Sequence, residues 1–143
     1  MNEIGVMATE AMGPLIEVVE QIPPESWDQP SNLDGWSMRD LVGHVTGNAA
    51  KIVTWVEGGE IWKAPSQPAD WRSEDPTARL RELAARLQDA LPSADLDAMR
   101  PSPGGVVPLH RALTYPVLGT LLGVAFLLVA MRRSMRSGKH RRG

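Results

Sequence analysis

Ala112-Leu-Thr-Tyr-Pro-Val-Leu-Gly-Thr-Leu-Leu-Gly-Val-Ala-Phe-Leu-Leu-Val-Ala-Met131 is a run of 20 residues without a charge, held between Arg111 and Arg132. At ~1.5 Å per residue a helix of this length measures about 30 Å, the thickness of a bilayer's hydrocarbon core. Ten of its residues are Leu, Val or Phe, which favour insertion, while Pro116, Gly119, Gly123 and the two threonines oppose it. Pro116 falls in the first turn or two, where a missing N–H costs least. Two structures therefore claim the stretch: a transmembrane helix, or the apolar helix that closes a bundle. The fold turns on which one takes it.

On the C-terminal side follow Arg132, Arg133, Arg136, Lys139, Arg141 and Arg142, a basic segment suited to anionic headgroups. No folded basic surface or aromatic stacking platform accompanies it, so nucleic acid is not an expected partner. A single-pass membrane protein is the localisation this reading gives, with a cytoplasmic protein as the other outcome. Its orientation is contradictory. The positive-inside rule places the tail in the cytoplasm and asks for export of residues 1–111, yet Met1 to Val6 has no basic region and Glu3, Glu10 and Glu17 follow, unlike a signal peptide. Gly119 and Gly123 form a GxxxG spacing through which two such helices could pair.

Working toward the N-terminus, the chemistry changes. All 17 acidic residues stand at or before Asp97, and seven of the 15 Lys and Arg follow residue 100, a net −9 against +7 in a chain of formal charge −2. The chain divides into 1–111, an acidic helical bundle; 112–131, the apolar span; and 132–143, the basic tail. With 143 residues there is room for one ordinary domain. The absence of cysteine excludes disulfides, thiolate metal sites and a cysteine nucleophile.

Three amphipathic helices fit residues 1–111. Ile4, Met7, Ala8, Ala11, Met12, Leu15, Val18, Val19 and Ile22 recur at helical spacing before Pro23-Pro24, with Gly13-Pro14 as a kink or the true start. Ser37 caps a second helix that Gly58-Gly59 closes, with Met38, Leu41, Val42, Val45, Ala49, Ile52, Val53 and Val56 as its core stripe. Asp75-Pro76 opens a third, lined by Leu80, Leu83, Ala84, Leu87 and Leu91 and ended by Pro92. With no alternating run, the class is all-α: an antiparallel bundle whose fourth helix only the segment from about Leu109 can supply. Glu57 to Glu74, with Trp62 and Trp71, reads as a loop that covers the bundle end or folds over it as a lid. Pro92 to Pro108 reads as an irregular connection.

Histidine is the remaining source of site chemistry, at His44, His110 and His140. At about 100° per residue His44 lies off the centre of the core stripe, in line with Leu41, Asn48 and Trp55, and faces a groove between helices. Its surroundings carry a resemblance. Trp27 with Pro30-Ser31, then Gly35-Trp36-Ser37, Arg39-Asp40-Leu41 and His44 with Gly47, resemble the N-terminal domain of mycothiol-dependent maleylpyruvate isomerases, DinB-like four-helix metal-binding bundles. The resemblance runs over about residues 9–111, with its specific motifs in residues 27–47. The resemblance implies that His44 is a metal ligand, that the metal is zinc, and that mycothiol is the thiol cofactor whose bound thiolate the metal stabilises. It also implies two further ligands, an acidic residue and a histidine four positions later, on the fourth helix.

This chain departs from that pattern where the fourth helix begins. No Asp or Glu follows Asp97, His110 precedes the apolar run, and His140 stands in the basic tail. Gly119 and Gly123 have the i,i+4 spacing without a donor. Asp40, Arg39 and Asp34 read as helix-start electrostatics, and Glu57 ends the same helix as His44. Three expectations follow: an isomerase or thiol-transferase relative with an incomplete metal site and reduced or no activity; a membrane-tethered helical binding or scaffold protein; or a truncated or frame-shifted product without selected function.

Overall fold

The computed structural model describes residues 3–33, 35–60, 75–102 and 104–142, with side chains up to Arg133. Its long helices are α1 (Glu3–Glu20), α2 (Met38–Val56), α3 (Pro76–Ala90) and α5 (Thr114–Arg142). Between α3 and α5 come a hairpin of β1 (Met99–Ser102) and β2 (Gly105–Pro108) and the single turn α4 (Leu109–Ala112). Trp62 and Trp71, the expected lid, lie outside the described residues.

Each helix forms where its apolar spacing puts one stripe inward. In α1 the stripe is Ala8, Ala11, Met12, Leu15, Val18 and Val19. The helix begins at Glu3 and runs through Pro14, so Gly13-Pro14 is not its start. Both residues are exposed, as is Glu10, so water can serve the carbonyl that loses its partner to the proline ring. The expected boundaries of α2 and α3 are met: Ser37 caps the first, and Asp75 the second by accepting from Ala78 N at 3.0 Å. A short 3₁₀ turn, Leu91–Ser93, follows α3 and contains Pro92.

Helices α3 and α5 each pack against both α1 and α2, from opposite sides, which makes a four-helix bundle. Its directions follow from particular contacts. Asn48 of α2 faces Gly119 and Val45 faces Gly123, so α2 and α5 run antiparallel. Arg81 near the start of α3 pairs with Glu20 at the end of α1, a second antiparallel side. The starts of α1 and α5 line one groove together, through Ile4, Met7, Thr114 and Val117. The ends of α2 and α3 share another, through Trp55, Val56 and Ala90. The other two sides are therefore parallel, and since only α2 and α3 among them are consecutive in the chain, one long crossover is required, from Glu57 to Asp75.

The contested stretch is the fourth helix. Leu113, Val117, Thr120 and Leu127 are fully buried, and Pro116, Gly123, Ala130 and Met131 complete the inward stripe. Burying side chains of the size of Leu113, Val117 and Leu127 contributes about 1.5–3 kcal/mol each. The opposite face stays apolar and exposed, at Tyr115, Leu118, Leu121, Leu122, Phe126, Leu128 and Val129. Leu109–Arg133 is long and apolar enough to cross a membrane, but 39% of its most apolar window is buried inside the bundle. A core helix of a soluble protein passes the same test of length and composition. The Gly119–Gly123 face offered to a second copy is taken up within the chain, because it is where α2 approaches.

The connection from Pro92 to Pro108 is more ordered than its composition suggests. β1 and β2 pair antiparallel, Arg100 opposite Val107 and Pro101 opposite Val106. Gly105 takes φ +104°, a turn conformation that a side chain would strain. Leu109 N donates to Ala98 O and His110 N to Leu96 O, both at 2.8 Å, which ties α4 to the start of the hairpin.

Candidate functional site around His44

The segment before α2 is built to hold the start of that helix and one aromatic ring. Ser31 is its centre: its backbone N–H and its hydroxyl both donate to Trp36 O at 2.8 Å, and the hydroxyl accepts from Leu33 N at 3.1 Å. Gly35 lies inside this loop with φ +80°, a conformation open to glycine at no steric cost. Met38 N and Arg39 N donate back to Gln29 O and Trp27 O, both at 2.9 Å. Arg39 stacks over the Trp27 ring at 5.4 Å and pairs with Asp28 at 3.2 Å. Ser37 and Asp40 form a reciprocal capping box, each side chain accepting from the other's backbone N–H at 3.1 Å. Most of the sequence motif therefore does structural work, as expected for Asp40 and Arg39; Asp34 lies outside the described residues.

What the loop delivers is Trp36 against His44, with ring centroids 4.9 Å apart and planes tilted by 50°. His44 is half-buried on α2. Burial holds its imidazole below the ordinary value, and the positive charge of Lys51 pushes the same way. At neutral pH His44 is thus uncharged, the state that a metal ligand or general base requires.

The rest of a metal centre does not come to it. By the register of Asn48 on Gly119 and Val45 on Gly123, α5 presents glycine and aliphatic groups at the level of His44. His110 is held elsewhere: its Nδ1 lies 3.0 Å from Leu96 O and 3.4 Å from Asp97. Its neighbour Leu109 lies in a groove with Trp55 and Val56, eleven residues or about 16 Å along α2 from His44. Glu57 is engaged with Arg86, at 3.2 Å to its Nε. Among the described residues no group of three or more His, Asp or Glu could hold a metal. The side chain of His140 is not among those described. Among the described residues, His44 is not joined by the further donors that a zinc site uses.

Two open grooves lie away from His44. One, about 490 Å³, runs between α1 and the start of α5 and is lined by Glu3, Ile4, Met7, His110, Arg111 and Leu118 among others. The second, about 380 Å³, sits at the end of α2 and includes Arg100. Arg100 drew no attention in the sequence. Its Nε is buried without a hydrogen-bond partner among the described residues, and only the hairpin, itself unforeseen, brings it there.

A four-helix bundle with one long crossover, between its second and third helices, and a histidine held on its second helix defines the class. The family model of the mycothiol maleylpyruvate isomerase N-terminal domain matches residues 8–121, and the chain belongs to that family. The match extends ten residues past the expected end of the resemblance at about Arg111, into α5. Among solved structures, the crystal structure of the mycothiol-dependent maleylpyruvate isomerase aligns with a TM-score of 0.69 at 17% identity, over 87% of this chain and 59% of its own. A histidine-to-alanine mutant of that enzyme aligns with the same TM-score and coverage at 18% identity. This likeness establishes the DinB-like helical fold. The chain spans 59% of the length of these isomerase chains. No curated protein matches it.

Proposed function

We propose that this protein is a mycothiol-isomerase-type bundle that keeps the family's His44 pocket and lacks its metal-dependent activity. The observation behind this reading is the register of α5 on α2, which brings Gly119 against Asn48 and Gly123 against Val45, so that glycine and not a donor faces α2 beside His44. A single imidazole does not hold zinc against water and competing ligands, since structural and catalytic zinc sites use three or four protein donors. Without the metal, a bound thiol keeps its ordinary acidity and no thiolate is generated for addition to an unsaturated acid. What His44 and Trp36 retain is a neutral, half-buried imidazole backed by an indole ring, a binding element rather than a reaction centre.

Zinc titration of the full chain by calorimetry tests this directly. The expected result is no binding near one equivalent and no mycothiol-dependent maleylpyruvate isomerisation with zinc supplied. Binding near one equivalent that disappears in His44→Ala would overturn the proposal.

A further inference from the structure

We propose that the outward face of α5 docks on an anionic lipid surface with the bundle intact, the helix lying along the membrane and not across it. The inward face is already spent, because Leu113, Val117 and Leu127 are fully buried. Spanning a bilayer would pull that stripe out of the core, whereas docking leaves it in place.

The outward face has the chemistry of a membrane contact. Tyr115, Leu118, Leu122, Phe126 and Val129 are 41–59% exposed and follow one another at three- and four-residue steps, so they form one continuous line. A solvated apolar line of this length marks an interaction surface. Arginines bound it. Arg111 is exposed at its start, and Arg132 and Arg133 at its end. Arg133 stands eleven residues after Leu122, about three turns, and so continues the same line. Arg136, Lys139, Arg141 and Arg142 follow in the sequence.

Charge selects the occupant. No acidic residue stands anywhere after Asp97. Pairing two copies through this face would set arginine against arginine in either alignment: Arg132 and Arg133 on their own copies if parallel, Arg111 against Arg133 if antiparallel. An anionic bilayer supplies both missing complements, an acyl layer for Leu122 and Phe126 and phosphates for the arginines at the two ends, which long side chains reach by snorkelling.

Flotation of the full chain with phosphatidylcholine vesicles, with and without about 30 mol% phosphatidylglycerol, tests the proposal. Binding is expected to the anionic vesicles, to weaken at about 0.5 M salt and to be released by alkaline carbonate. Arg132→Ala with Arg133→Ala should lower the partition coefficient about 25-fold, at roughly 1 kcal/mol per charge, with an unchanged thermal melt. Since the protein has no cysteine, Phe126→Cys and Glu82→Cys each provide one dye site. The dye at 126 should shift to the blue and be quenched by acyl-brominated lipid, while that at 82, exposed on α3, should not respond. Equal binding to both vesicle types, no binding at all, carbonate-resistant insertion, or a dye at 126 shielded only by concentration-dependent dimerisation would each overturn it.

Discussion

Gly123→Ala asks whether α5 sits in the bundle, and its sign carries the answer. A β-carbon at Gly123 would lie 2.4 and 2.7 Å from the two methyl carbons of Val45 and 3.1 Å from its Cβ. Val45 is fully buried and short, so it cannot swing aside as the end of a long side chain would. Forcing one extra carbon into such a contact costs about 1–3 kcal/mol. Against this, alanine is better than glycine in a helix by about 0.8–1.0 kcal/mol. The packed helix therefore loses up to roughly 2 kcal/mol on balance, whereas a helix free of the bundle would gain about 1 kcal/mol. Urea unfolding followed by tryptophan fluorescence and circular dichroism reads the difference. Val45→Ala removes the obstructing methyls, so the double variant should be less destabilised than the sum of the two single changes by about 1 kcal/mol or more. A more stable Gly123→Ala protein, or strict additivity with Val45→Ala, would refute the packing of α5 on α2.

The other predictions concern the pocket. The lowered pKa of His44 means that the unfolded chain takes up a proton more readily than the folded one, so its contribution to stability is present above about pH 6.5 and lost as pH falls from there through the lower folded-state value. Urea midpoints measured between about pH 7.5 and 5.5 should fall in the natural protein and fall less in His44→Gln; parallel profiles would count against the burial of His44. Ser37→Ala removes the acceptor for Asp40 N and should cost about 0.5–2 kcal/mol, with a loss of the Trp36–His44 contact visible as a shift in the His44 imidazole resonances. An unchanged stability would mean that the cap is not formed in solution.

The elements whose signals are local were legible in the sequence. The stripes of α1 and α2, the Ser37 cap and the Asp75-Pro76 start each depend on residues within a few positions of one another. Competing claims on one stretch were not separable in that way. The apolar run of α5 has low polarity all round, so periodicity does not tell which face is buried, and only the partner helix does. Gly119 and Gly123 look alike as a dimerisation spacing or as an approach to α2, because both uses require the same absence of side chains. The hairpin was hidden because its strands have four residues each and contain Pro101 and Pro108, which donate no ladder bond. His44 stood out through its motif, and composition alone shows that a chain without acids after Asp97 has no carboxylate to place on α5. Arg100 became visible only with the fold.

The parallel pairing of α1 with α5 has a kinetic consequence. Ile4 and Val117 line the same groove although roughly 110 residues separate them, so this side of the bundle joins the first and last of its four helices. Such a closure must wait until nearly all of the polypeptide is available, and it is slow because a long loop loses its freedom before the contact rewards it. Until α1 and α2 have both packed on it, α5 keeps apolar surface in water on more than its outward face. The helix that completes the core is therefore also the segment most open to capture by another surface before the core exists.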